Sequence, residues 1–102
     1  MREIALAKLD KTRPALVLTR DVVRSAMRNV TVAPITTTAK GLSTEVALGT
    51  ENGLDHACVA SIDNIVTVPT AALGRVVGHL LPRQEQELAA AIVTAFDLEL
   101  FT

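Results

Sequence analysis

The sequence predicts a mainly β fold, in which short antiparallel strands curl into a small open barrel with one helix at the C-terminal end. Three observations lead there. Short apolar runs rich in Val, Ile, Leu and Thr recur along residues 1–80, separated by Gly, Pro, Asn or Asp. Sustained helical spacing of apolar residues is found only after Pro82. Curling the sheet into a barrel removes exposed strand edges, which a chain of 102 residues has little else to cover.

The elements follow in order. Glu3 to Asp10 places Ile4, Leu6 and Leu9 near a core and reads as a strand. Lys11-Thr12 is a short turn, and Pro14 to Thr19 is an apolar run short enough for a buried strand, so the two form a tight hairpin. Asp21 is suited to cap a short helix through Arg28, with Val22, Val23, Ala26 and Met27 on one face and Asn29 at its end. Asn29 to Ile35 is a third strand, and Pro34 near its end marks an edge or an exit. Thr36-Thr37-Thr38 opens a polar loop that turns at Gly41 and leads to a fourth strand, Thr44 to Leu48. Ala57 to Val68 makes a fifth strand, broken near Asp63-Asn64. Pro69 starts a single turn ending at Gly74, and Arg75 to Leu80 adds a sixth, short strand. Pro82 stands at the first position of the last helix, where its missing N–H costs nothing. Leu88, Ile92, Ala95 and Phe96 form the stripe expected to be buried. Residues 1–102 make one domain, without repeats or linker.

Apolar residues make up 49% of the chain, enough for a core but a thin one at this length. No apolar run approaches the ~18 residues of a membrane span. The start of the chain lacks a signal-peptide stretch, and Cys58, the only cysteine, cannot form an internal disulfide. A cytoplasmic protein is expected. The net charge of −1 hides an asymmetry. Residues 1–40 hold Arg2, Lys8, Lys11, Arg13, Arg20, Arg24, Arg28 and Lys40 against Glu3, Asp10 and Asp21 alone, whereas residues 41–102 hold Arg75 and Arg83 against eight acids. A basic half attracts phosphates or an acidic partner; two opposite halves also simply attract each other in one fold.

No metal-ligand spacing is present. His56-x-Cys58 is a weak pair, and Cys58 reads as a small buried hydrophobe. His79 reads as a strand residue with a satisfied ring. No metal and no cofactor are expected. Two segments carry chemistry instead. Arg13 opens the most apolar strand, and hydroxyls cluster in Thr36-Thr37-Thr38, just past a strand end. If those strands are neighbours, both segments reach one rim. Arginine offers a planar fork of donors that stays charged. The alternative is that Arg13 pairs with Asp10 at the surface and the threonines serve a turn.

These segments also resemble the MazF/PemK family, in order along most of the chain. Arg2-Glu3-Ile4 resembles the family's opening strand. Arg13-Pro14-Ala15-Leu16-Val17-Leu18 resembles its arginine–proline strand, and Pro34-Ile35-Thr36-Thr37-Thr38 its proline–x–threonine loop. Leu42-Ser43-Thr44-Glu45-Val46, Ile62-Asp63-Asn64-Ile65-Val66-Thr67-Val68 and Leu73-Gly74-Arg75-Val76-Val77-Gly78-His79-Leu80 resemble three further strands. Two features depart from the pattern. Only Lys11-Thr12 separates Asp10 from Arg13, where the family has a longer loop containing Gly and Glu, and the tryptophan frequent in the first strand is absent.

The resemblance implies a small SH3-like barrel of the MazF/CcdB/Kid type and a homodimer. It implies a toxin that cuts single-stranded RNA at short sequences without a metal and inhibits translation and growth, and a cognate antitoxin whose C-terminal tail covers the RNA groove. By position, Arg13, Thr36 and Asp63 match catalytic residues, and Asn64 a groove-lining amide. Cleavage without a metal uses the 2′-hydroxyl as nucleophile and leaves 2′,3′-cyclic phosphate and 5′-hydroxyl ends. Arg13, helped by Thr36, is expected to stabilise the charge that builds on the phosphorane. Asp63 is the positional candidate for the base, although a free carboxylate near pKa ~3.9 is a weak one; His56 has the better ordinary pKa but no positional match. Phe96 and Phe101 are the only aromatic residues, so base stacking on rings is unavailable. RNA recognition is expected from Lys11, Thr12, Thr37, Thr38, Lys40, Ser61 and Asn64. Two other readings are a CcdB-like gyrase poison and a catalytically inactive barrel that only binds an antitoxin, since fold does not fix function.

Overall fold

The computed structural model describes residues 1–99; residues 100–102 of the expected domain, Phe101 among them, lie outside the described residues. Seven strands and two helices follow in the order β1 (Glu3–Lys8), β2 (Thr12–Val17), α1 (Asp21–Arg24), β3 (Asn29–Thr36), β4 (Glu45–Leu48), β5 (Cys58–Ser61), β6 (Val66–Pro69), β7 (Leu73–His79) and α2 (Pro82–Ala95). The sheet runs β4-β5-β3-β2-β1-β7, all neighbours antiparallel, and β6 pairs with the first half of β3.

β3 is the pivot. Asn29 to Val32 pair with β6, and Ile35-Thr36 with β5, on the edge opposite β2. Pro34, expected to mark an edge or an exit, is therefore interior and not at an edge. It stands where one neighbour hands over to the next, a place where a missing N–H breaks no ladder bond. The expected break near Asp63-Asn64 is the matching event on the other side. A 3₁₀ turn at Ile62–Asn64 separates β5 from β6, which makes two strands of the one expected.

Strand alternation sorts the core into two clusters. On one face Ala5, Ala7, Ala15, Val17, Val30, Val32 and Val68 meet. Their small side chains suit the narrow inside of a tightly curled sheet. On the other face Ile4, Leu16, Ala33, Ile35, Val46, Leu48, Ala60 and Ile62 pack with Leu80, Leu88 and Ala91 of the helical end. β1 and β2 are buried on both faces, which is why they read as near-continuous apolar runs.

Several boundaries differ from expectation. Lys8 pairs with Thr12, so the hairpin loop is Leu9 to Lys11 and Thr12 belongs to β2. The first helix spans only four residues, buries none, and stops at Arg24; Asp21 does not cap it but is its first residue and pairs with Arg24. One turn has no packed face to offset the cost of nucleation. In α2 the buried stripe is Gln84, Leu88 and Ala91, with Ile92 and Ala95 half-buried against the core, while Phe96 is exposed.

Two contacts set the helix on the sheet. Arg2 gives two N–H bonds to Glu85, at 2.8 and 3.1 Å, and two to the carbonyls of Val17 and Leu18. Arg2 thereby lowers the Glu85 carboxyl below its ordinary pKa. The loop after β4 presses on β7: a Cβ at Gly78 would stand 1.6 Å from the Asn52 carbonyl oxygen, so no side chain fits there.

Candidate active site

The ends of β2, β3 and β5 open into a groove of about 600 Å³. The β1–β2 loop supplies Leu9 and Asp10, β2 supplies Arg13, and β3 supplies Pro34 and Thr36. The long loop before β4 brings Thr38 and Lys40, and the turn after β5 brings Asp63 and Asn64, beside Ser61. Strands β2 and β3 are neighbours, with Ala15 opposite Pro34, so Arg13 and Thr36 do reach one rim. Seven of the ten residues singled out in the sequence line this groove: Arg13, Thr36, Thr38, Lys40, Ser61, Asp63 and Asn64. Thr37 lines a neighbouring hollow instead. Lys11 and Thr12 are exposed in the hairpin and line neither.

Arg13 is held in an unusual state. Its side chain is 22% exposed, and Nη2 donates to Asp10 Oδ2 at 2.8 Å. Its Nε is buried and has no partner. The surface pair with Asp10 thus forms, yet it leaves part of the fork unused, and a buried donor without an acceptor is costly. Thr36 Oγ1 accepts the Thr38 N–H at 3.1 Å, which bends the chain just after β3. Asp63 Oδ2 accepts a 2.6 Å bond from Thr44 Oγ1, and Ile62 N–H donates to the Thr44 carbonyl. Two bonds therefore fix the Ile62–Asn64 turn to the start of β4. Asn64 Nδ2 donates to Ser61 Oγ at 2.7 Å.

Glu45 holds the long loop. Its carboxylate accepts the N–H groups of Lys40, at 3.1 Å to each oxygen, and of Leu42, at 3.0 Å. The bonds from Leu42 and then Lys40 keep its pKa below the ordinary value. Asp10, Thr44 and Glu45 went unmarked as site residues in the sequence. The short spacings of Asp10 to Arg13 and of Leu42 to Glu45 offered a signal, whereas Thr44 acts through Asp63, a contact that no local pattern encodes.

His56 lines the neighbouring hollow and not the groove, so the alternative base is separated from Arg13. Cys58 is buried, and burial pushes its thiol pKa up. Among the described residues no three His, Cys, Asp or Glu side chains gather as a metal site would require. Among the described residues no helix is long and apolar enough to cross a membrane.

A curled antiparallel barrel backed by a C-terminal helix thus carries an arginine, a threonine and an aspartate on one rim. Residues 3–96 match the family of PemK-like, MazF-like toxins of type II toxin-antitoxin systems, and the chain belongs to that family. It is 57% identical over 99 residues to the endoribonuclease MazF3 of Mycobacterium tuberculosis, covering 97% of this chain and 96% of the relative. Its fold superposes on the Mycobacterium tuberculosis toxin MazF-mt6 with a TM-score of 0.95 at 56% identity, over 97% of this chain and all of that one. A mycobacterial endoribonuclease solved with its cognate antitoxin shares the fold, with a TM-score of 0.83 at 24% identity over 96% of this chain and 94% of that one.

Proposed function

We propose that this chain is a toxin that acts as an endoribonuclease on single-stranded RNA, with Arg13, Thr36 and Asp63 at the scissile phosphate. The observation that carries this reading is the gathering of these three residues, far apart in sequence, in one groove. Membership in a toxin family whose close relative is named an endoribonuclease supports it.

The chemistry needs no group beyond the RNA, the chain and water. The 2′-hydroxyl attacks the adjacent phosphorus and gives up its proton, negative charge builds on the phosphorane oxygens, and the 5′-oxygen leaves, taking a proton from water to become the 5′-hydroxyl. Fixed donors aimed at that charge lower the barrier. Arg13 is suited to this because it lines the groove with Nη2 held by the exposed Asp10, and once Asp10 is displaced its fork can meet a phosphate oxygen. Arginine keeps its proton at working pH, so it stabilises charge before it moves protons. Thr36 adds a hydroxyl beside it. Asp63 is positioned by Thr44 and takes the proton of the nucleophile. Thr38, Lys40, Ser61 and Asn64 bind the strand along the groove, and Lys11, Thr12 and Thr37 meet its flanks.

The groove holds two cationic side chains, Arg13 and Lys40, among three carboxylates, Asp10, Glu45 and Asp63. RNA must displace Asp10 from Arg13, whereas Glu45 is already engaged by backbone N–H groups. The same groove takes the C-terminal tail of a cognate antitoxin, and the active form is a cytoplasmic homodimer. Incubation with a long, unstructured RNA tests the proposal. Mass spectrometry should find 2′,3′-cyclic phosphate and 5′-hydroxyl ends, undiminished by EDTA, and a 2′-deoxy residue at the cut should block cleavage. Intact RNA, with growth arrest traced to gyrase, would reject it.

A further inference from the structure

We infer that the hollow on the far side of the Thr36 rim is a nucleobase site, which holds the base adjoining the scissile phosphate and prefers one with an exocyclic amino group. This rests on the ribonuclease reading above. The hollow has a volume of about 480 Å³ and shares Thr36 with the catalytic groove, within the size range of small-ligand sites.

Strand alternation puts the two on opposite faces of the sheet. Arg13 and Thr36 fall in step with Ala15 and Val32 of the small-residue cluster, whereas Pro14 and Ile35 fall in step with Leu16 and Ala33 of the helix-covered one. They meet only over the end of β3. An RNA strand whose phosphate rests at Arg13 and Thr36 can turn over that end, and its next base then enters the second hollow.

The lining suits a base and not a phosphate alone. Leu6, Pro14, Leu54 and Val76 make an apolar floor that no phenylalanine among the described residues covers. Arg75 stands exposed on β7 and makes no ion pair among the described residues. Its guanidinium plane and the His56 imidazole are the stacking surfaces the hollow offers a base. Asp55 is the only carboxylate of the hollow among the described residues. It can accept from the amino group of cytosine, adenine or guanine, and uracil has no such donor.

The test is cleavage of a long, unstructured RNA, with the ends sequenced, by the wild type, Asp55→Asn, Arg75→Lys and Arg83→Ala, the last of which lines neither hollow. The wild type should disfavour uracil at one position adjoining the cut. Asp55→Asn, which adds a donor, should raise uracil there by about tenfold relative to the amino-bearing bases. Arg75→Lys keeps the charge but loses the plane, and should lower kcat/KM on the preferred site by about tenfold, while Arg83→Ala changes neither. If Asp55→Asn and Arg75→Lys both cut with wild-type preference and rate, the site is overturned. If they instead halve the mass in ultracentrifugation without altering the preference, the hollow is a face between copies and the proposal is likewise overturned. A wild type that cuts no RNA removes the ribonuclease reading, and this site with it.

Discussion

Asn52 and Gln84 face each other as a buried amide pair that exchanges hydrogen bonds in both directions, Asn52 Nδ2 to Gln84 Oε1 at 2.6 Å and Gln84 Nε2 to Asn52 Oδ1 at 3.2 Å. Their remaining capacity is also used. Gly49 N–H donates to Asn52 and Leu81 N–H to Gln84, while the amides donate to the carbonyls of His79 and Ala47. The pair thus joins the loop after β4, the end of β7 and the start of α2. A buried network of this kind stabilises only when every member is satisfied.

Removing either amide should therefore cost more than a surface change. Gln84→Ala leaves four polar groups short of a partner, and we expect a loss of about 2 to 4 kcal/mol. Urea unfolding of Gln84→Ala, Asn52→Ala and the double variant checks this, with a coupling above about 1 kcal/mol between the two sites. Additive losses would mean that the pair does not act as a unit.

Glu45 sets a pH dependence for the loop that carries Thr38 and Lys40. Its pKa in the fold lies below the ordinary 4.5. Its contribution is therefore fully present above that value and is lost as pH falls through the lowered one. Hydrogen exchange at the Lys40 and Leu42 N–H groups, corrected for intrinsic rates, should lose protection as pH falls below 4.5. Glu45→Gln should show the same loss at neutral pH, with KM for RNA raised more than kcat is lowered. Unchanged protection in that variant would remove Glu45 as the holder of the loop.

Much of this was legible because it rests on local pattern. The runs at β1, β2 and β3, the polar loop after Thr36 and the break at Asp63-Asn64 follow from apolar alternation and turn residues. Arg13 beside Thr36 was legible from strand order, but Asp63 came only through the resemblance, since no local rule joins it to Arg13. What sequence reading missed was decided by packing. Gln84 is 1% exposed, yet a glutamine gives no sign that it is core. Phe96 has the helical spacing of a buried residue but lies past the end of α2, where the chain turns away through Asp97 in the left-handed region. Pro34 looks like an edge residue until β3 is seen to change partners around it.

Thr36 performs two tasks that substitutions can separate. Its hydroxyl accepts the Thr38 N–H and is free to donate into the groove. Thr36→Ala should lower single-turnover cleavage by tenfold or more, as about 1.4 kcal/mol of lost transition-state stabilisation would. Thr36→Ser keeps the hydroxyl and should restore most of the rate. Thr38→Ala keeps the N–H that bonds Thr36, so it should do less than Thr36→Ala. Equal losses at both positions would point to loop stability and end the catalytic assignment.

Arg13 gives the sharpest test, because two of its possible roles predict different patterns. Its Nη2 is occupied by Asp10 while Nε waits, buried, without an acceptor. If its fork meets a phosphorane oxygen once Asp10 is displaced, Arg13→Lys should bind a non-cleavable RNA nearly as tightly as the wild type but cut far more slowly, since lysine keeps the charge and loses the fork. Arg13→Ala should be weaker in binding and slower in cleavage by about 10²-fold or more, the scale of losing one preorganised donor. If Arg13 serves only its pair with Asp10, both variants should cut normally and lose at most about 1 kcal/mol of stability, because Asp10 is largely exposed. Single-turnover rates measured beside urea midpoints separate the two cases, and an Arg13→Ala protein that cuts at the wild-type rate would leave the proposed mechanism without its central donor.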